Sequence, residues 1–343
     1  MALYHFLENT KVYIQVSSGL VHKLDITPEG VQFSQTFTET TFSQKTLQSQ
    51  SSLIKEGVFK KANPASFTFT LPLLKENDFD FVFNLLVDLN SSSNLDSFNL
   101  FFINENKVFT LETCVFQSGN FTIDKGKPLA LQLTGQASKL VAAKSTEDII
   151  SSSGVVDLSN VIQKGGLTFT NDKVQPRSAT RTFLPLTEAQ VQFSSDYGTA
   201  GGVSQYSLYS CNLELQNNVT WVQSRTVADG IATTDSSNVI YPTTFVLKDR
   251  ALAGNCKFYM PTESDTNFSD DYSSGLNQKF VENQKFTLSA FSRISSVNYG
   301  IQFSDTVNYT SRVSAGPFFS MDLDWRLSSN INTISNILTY TTA

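Results

Sequence analysis

This sequence is poor in charge, histidine and cysteine. Asp, Glu, Lys and Arg make up only 16% of it, and 31 acidic residues outnumber 25 basic ones for a net charge of −6. Residues 1–170 carry 13 Lys+Arg against 16 Asp+Glu and the remainder 12 against 15, so each half is −3. A grip on nucleic acid needs a basic face that displaces counterions, and this balance does not supply one. It leaves open a surface that DNA only slides past. Two histidines, His5 and His22, give a His-dependent triad or a His-rich zinc site almost nothing to work with. Three cysteines, Cys114, Cys211 and Cys256, are odd in number, far apart and without a CxxC spacing. That argues against a disulfide framework and for a reducing compartment, with the thiols packed as small apolar groups. There is no run of 18 apolar residues to span a membrane. The start, MALYHFLENTKVY, lacks the basic region and apolar run of a secretory leader, so the chain is expected to fold in a cytoplasm.

What the sequence does have is aromatic and hydroxyl side chains. It holds 28 Phe, 11 Tyr and 2 Trp, and Ser and Thr together number 78. Phe, Tyr and Thr favour strands, and Ser, Asn and Gly favour turns. With 40% hydrophobic residues the chain has enough apolar surface to fold. A length of 343 residues suits two domains, each able to bury a core. The expected fold class is all-β, with one short flanking helix in the first domain. Residues 141–160 lose the strand rhythm and gather Ser, so they are assigned as a linker between domains at 1–140 and 161–343.

Alternation with a period of two marks the strands. In VQFSQTFTETTF (31–42) Val31 and Phe33 point one way, while Gln32, Ser34, Thr36 and Thr38 point the other. In ASFTFTLPL (65–73) Phe67, Phe69 and Leu71 oppose Ser66, Thr68 and Thr70. Both strands therefore combine an apolar face with a polar, mostly uncharged one. Between them, residues 43–62 are polar and Lys-bearing without a clear period, which predicts a long loop with a function of its own. In KENDFDFVFNLLVDLN (75–90) Phe79, Val82, Phe83 and Leu86 fall at helical spacing, behind a capping Asn77 or Asp78.

A weak internal repeat follows. LDITPEGVQFSQ (24–35) and LELQNNVTWVQ (213–223) share Leu-acidic-aliphatic, a tight turn at Gly30 or at Asn217–Asn218, then Val-polar-aromatic-x-Gln. ASFTFTLPL is echoed by KFTLSAF, with Thr287 and Ser289 outward, and ALQLTGQAS (130–138) by SMDLDWRLS (320–328).

On GVQFSQTFTETTFSQKTL, its distance to ASFTFTLPLL, and LQNNVTWV, the chain resembles the two-repeat tail tube proteins of long-tailed, non-contractile phages. The resemblance covers most of residues 10–90 and about 205–330. It implies two tandem β-sandwich or barrel repeats per chain and stacked rings, trimeric but pseudo-hexameric, around a lumen through which DNA is ejected. It implies as partners other copies of the chain, a tape-measure protein and tail-tip proteins, with transient non-specific passage of double-stranded DNA and no membrane insertion. The implied location is the virion tail, assembled in the bacterial host cytoplasm. Candidate lumen residues are Gln32, Ser34, Thr36, Thr38, Ser66, Thr68, Thr70, Thr220, Ser224, Thr287 and Ser289. Candidates for an arm to the next ring are Lys45, Leu53, Ile54, Lys55, Phe59 and Lys60. Hydroxyl and amide side chains offer weak, exchangeable contacts, which suits a wall that must not hold DNA.

No cofactor, metal or enzymatic activity is expected. Asp322 and Asp324 in MDLDW share one strand face beside Trp325. That pair reads either as a solvated face or as the two carboxylates of a glycoside hydrolase or sugar site. Asp270–Asp271 lacks EF-hand spacing, and Gly165–Gly166 and Gly201–Gly202 read as turns. The rival to a tube subunit is a virion β-sandwich adhesin or tail-tip protein that binds host surface carbohydrate.

Overall fold

The computed structural model describes residues 10–16, 21–44, 54–74, 79–104, 107–124, 126–143, 183–193, 204–223, 239–259, 278–294, 296–314, 316–318, 320–328 and 334–342. The fold is all-β. Residues 10–143 form β1 (Lys11–Val16), β2 (Val21–Leu24), β3 (Gln32–Ser34), β4 (Phe37–Gln44), β5 (Ile54–Ala62), β6 (Ala65–Pro72), α1 (Phe79–Val87), β7 (Phe98–Asn104), β8 (Lys107–Asp124) and β9 (Ala130–Ala143). Residues 183–342 form β10 (Glu188–Phe193), β11 (Ser204–Gln223), β12 (Val239–Ile240), β13 (Pro242–Tyr259), β14 (Gln278–Ile294), β15 (Val297–Ser314), β16 (Ser320–Leu327), α2 (Ile334–Ile337) and β17 (Leu338–Thr342).

The two halves share one strand order. In the first it runs β1-β7-β8-β9-β6-β3, and in the second β10-β14-β15-β16-β13-β11, every neighbour antiparallel. The second circuit closes because β10 also pairs the start of β11. In the first, β2 pairs β1 and is joined through a turn to β3, so the chain itself completes the circuit. That turn carries Gly30 at φ 82°, a left-handed conformation that glycine adopts without strain. Closed circuits leave few free strand edges. Strand order pairs β6 with β13 and β7 with β14. KFTLSAF on β14 is therefore not the counterpart of ASFTFTLPL on β6, contrary to the sequence echo. The third echo lies on β9 and β16, which do correspond.

Each circuit fills with aromatics. In the first, Phe98 lies 4.5 Å from Phe116, and Phe67 lies 6.0 Å from Phe116. In the second, Trp325 stacks on Phe303 at 4.9 Å and meets Phe286 at 5.2 Å. Gly254 lies where a Cβ would collide with the Trp325 ring and Asn212 O, so the ring takes the space a side chain would need. Two strand readings meet corrections here. The described residues of the expected loop at 43–62 are instead strand: β4 pairs β5 from Phe37↔Ala62 to Gln44↔Ile54, and β12 adds in parallel, while residues 45–53 lie outside the described residues. These strands are held by main-chain pairing, which no apolar period reports. The expected turn at Asn217–Asn218 is continuous strand with a register shift after Asn218.

The predicted helix is α1, with Phe79, Val82, Phe83 and Leu86 buried. It binds the halves together. Its last carbonyls have no partner within the helix, and residues of the second half supply them. Arg250 donates to Leu86 O at 3.0 Å and Val87 O at 2.9 Å, and its Nε donates to Asn217 Oδ1 at 2.7 Å. Asn217 in turn donates to Leu86 O and Phe116 O, which explains why it is held in strand and not in a turn. Tyr340 of β17 covers Phe79 and Phe83 at 5.1 and 6.0 Å. Burial lowers the Arg250 pKa to about 10 against the opposing pull of Asp88. Replacing Arg250 by Met keeps the apolar stem but strands Val87 O and Asn217 Oδ1. The expected cost is about 2–3 kcal/mol, read as a lowered urea midpoint against the parent chain.

Candidate functional site

The β8–β11 ladder, which joins the halves into one sheet, also builds a continuous polar surface. The C-terminal part of β8 pairs β11 through Ser118↔Gln216, Asn120↔Glu214, Thr122↔Asn212 and Asp124↔Ser210, with Gly119, Phe121 and Ile123 between them opposite Leu215, Leu213 and Cys211. Side chains on directly paired residues share a face, and faces alternate along a strand. The registers therefore define rows that cross both halves. One polar row is Thr70, Gln132, Asn120, Glu214, Ala253, Arg326 and Asn308. The next is Gln32, Thr68, Thr134, Ser118, Gln216 and Ala251. A third is Ala130, Thr122, Asn212, Asn255, Asp324 and Thr310. Seven strands at about 4.8 Å apiece make such a row about 30 Å wide.

The opposite face of the same strands is apolar. Leu71, Leu131, Phe121, Leu213, Gly254, Trp325 and Tyr309 form one row in register, and all but Gly254 lie in the core. The sheet is thus one wall, dry on one side and hydroxyl- and amide-bearing on the other. Its charges are few and several are paired, while Glu214 accepts from the neutral Gln216 at 2.9 Å. Asp124 meets Lys127 at 3.0 Å. Asp322 meets Lys257 at 3.6 Å and Arg312 at 3.5 Å, and accepts from Ser314 at 2.7 Å. Asp324 accepts from Asn255 Nδ2 at 2.5 Å. Burial alone would raise the Asp322 pKa, but the Ser314 hydroxyl and the two cations outweigh it and hold the carboxyl below its ordinary value.

The wall gathers some of the residues singled out from sequence and not others. Gln32 and Ser34 on β3 and Ser66, Thr68 and Thr70 on β6 share its polar face, and Ser34 and Ser66 hydroxyls lie 3.2 Å apart. Thr36 and Thr38 are exposed where β3 leads into β4, and Thr36 Oγ1 accepts from Asn63 Nδ2 at 2.9 Å. Thr220 is on β11 past the register shift, opposite Val246 and beyond the β8 ladder. Thr287 and Ser289 sit on β14 between β10 and β15, away from the β8–β11 junction, with Thr287 Oγ1 2.9 Å from Ser304 Oγ and Ser289 buried. They are displaced from the expected face because β14 corresponds to β7 and not to β6. Ser224, Lys45 and Leu53 lie outside the described residues. Ile54, Lys55, Phe59 and Lys60 are on β5, opposite Gln44, Ser43, Thr40 and Glu39.

Sequence reading missed the centre of the wall. Gln132 and Thr134 on β9 and Asn212, Glu214 and Gln216 on β11 were legible as polar alternates in ALQLTGQ and CNLELQ. Ser118, Asn120 and Thr122 were obscured by the register shift between Phe116 and Ser118. The carboxylate pair is also corrected. Asp322 and Asp324 face out while Trp325 faces the core, so the aromatic is not beside them. His22 is buried and stacks on Phe81 at 3.8 Å; His5 lies outside the described residues. Among the described residues no group of three His, Cys, Asp or Glu is placed to hold a metal, and no helix is long and apolar enough to cross a membrane.

No protein-family model matches the chain, and no curated protein matches it. Among solved structures, a chain of the anti-feeding prophage baseplate, determined by electron cryo-microscopy with six-fold symmetry, is similar over 42% of this chain and 96% of its own, at 12% identity and a TM-score of 0.29. A superposition that loose fixes neither fold nor function.

A depressed carboxyl stabilises the fold at pH values above its unfolded value, and the contribution is lost as pH falls through the folded value. Asp322→Asn is expected to lower stability by about 1 kcal/mol at pH 7. The gap to the parent should narrow below about pH 4, as measured by urea unfolding at pH 7 and pH 3.

Proposed function

We propose that this chain is a structural subunit of a phage tail tube and not an enzyme. The reading rests on the sequence resemblance and on one observation, the polar wall that β8 and β11 carry without a break from one half to the other. A tube that conducts DNA needs an inner surface that is continuous, hydrated and weak in its contacts. Thr, Ser, Asn and Gln in register, with few charges among them, have that chemistry. Two halves with one strand order, joined edge to edge, give each subunit two equivalent wall segments. Copies joined head to tail would continue them into a ring, since heterologous contacts close when the rotation permits. In this reading the β4–β5 ribbon, with Ile54, Lys55, Phe59 and Lys60 on β5, reaches the next ring. The partners are further copies, a tape-measure protein and tail-tip proteins. Double-stranded DNA passes without specific binding, and the site is the virion tail after assembly in the host cytoplasm.

One observation favours the adhesin or tail-tip reading. Tyr209, Tyr259 and Phe318 are exposed, and Tyr259 meets both of the others, Tyr209 at 5.3 Å and Phe318 at 5.8 Å. Exposed aromatics of this kind serve carbohydrate recognition as well as protein contacts.

Negative-stain microscopy of the purified chain separates the two. Stacked rings of constant diameter are expected, whereas discrete oligomers that bind host cells would sink the tube reading. The wall itself is tested by Gln132→Lys combined with Gln216→Lys. Tubes should still assemble, but they should retain duplex DNA at low salt about tenfold or more above the parent. Equal retention by both would remove the wall from the lumen.

A further inference from the structure

We propose that Cys211 and Cys256 close an intramolecular disulfide when the folded protein meets an oxidising medium, stapling β11 to β13. The two are direct partners in the antiparallel ladder. Both side chains point into the second-half core, and their sulfurs lie 3.1 Å apart. Cβ atoms of direct cross-strand partners stand about 4.5–5.5 Å apart, and a disulfide brings them to about 3.5–4.5 Å, so a small inward shift of two neighbouring strands suffices. Cys114 is the internal control. It is buried in the first-half core and directs its thiol to Leu111 O at 3.3 Å.

The pair is built to stay reduced until late. Both thiols are buried, and burial, then the neighbouring Cys256, holds the Cys211 thiol well above its ordinary pKa, so thiolate is scarce. Access comes from the adjoining ladder, where the register shifts between Leu208 and Ser210 beside the exposed Tyr209. The oxidant is a small disulfide of the glutathione class. Cys211 thiolate attacks one of its sulfurs and displaces the first thiol. Cys256 thiolate then attacks Cys211 Sγ and displaces the second. The two cysteine protons end on the two released thiols, and the small disulfide takes up both electrons. The bond ties together the strands that carry the polar wall from β8 to β16, and it forms or fails independently of what the wall does.

The full chain, purified under reducing conditions, is incubated folded with oxidised glutathione, quenched with acid, unfolded and alkylated. One alkylated cysteine is expected per chain in place of three, with a peptide joining Cys211 to Cys256. Thermal unfolding should rise by about 5 °C or more and return when dithiothreitol is added. Cys114→Ser should form the same joined peptide and leave no cysteine to alkylate, and Cys211→Ser or Cys256→Ser should keep both remaining thiols alkylatable. Three alkylated cysteines after oxidation, a stable glutathione adduct in place of the joined peptide, a bond that includes Cys114, or an oxidised chain that melts no higher than the reduced one would each overturn the proposal.

Discussion

Seven residue pairs between β8 and β11 bring the two halves into one sheet, and the rest of the surface depends on their register. Each strand alone carries its own alternation of polar and apolar residues. Only the ladder decides whether Asn120 stands beside Glu214 or beside Leu213. A slip of one residue would send Leu213 and Leu215 to the wet face and Glu214 into the core. The observed register puts Phe121 against Leu213 and Thr122 against Asn212, so apolar continues apolar and polar continues polar across the junction.

Several side chains hold that register from outside the ladder. Arg250 and Asn217 bind the last carbonyls of α1, so a helix of the first half ends on residues of the second. Asn94 reaches in the same direction, donating to Phe245 O at 3.0 Å and accepting from Leu247 N at 3.1 Å. These are buried or half-buried polar groups with partners, which are costly to leave unmade and so resist sliding. The aromatic cores give each half its cohesion. The polar seam adds direction to the join, because few other placements would satisfy it.

Most of the local structure was legible in the residues. The alternation in ASFTFTLPL placed Phe67 and Phe69 inside and Ser66 and Thr68 outside, and the spacing of Phe79, Val82, Phe83 and Leu86 marked α1. Legibility failed where no burial period existed. Residues 54–62 form a strand through main-chain pairing with β4, and a ribbon of that kind leaves no apolar stripe to read. It also failed where a distant contact overrode local preference. Asn217–Asn218 has turn chemistry, yet Leu86 O and Phe116 O hold Asn217 in an extended strand.

The sequence by itself determined the fold class, the two-sided character of its strands and the poverty of charge on their wet side, because alternation and composition are local properties. Tertiary structure alone decided which strands become neighbours. That choice set Cys211 against Cys256, turned Trp325 away from Asp322 and Asp324, moved Thr287 and Ser289 off the wall, and brought Ser118, Asn120 and Thr122 to its centre. Pairing between strands far apart in the chain depends on register and packing summed over the whole molecule, and no window of residues contains that sum.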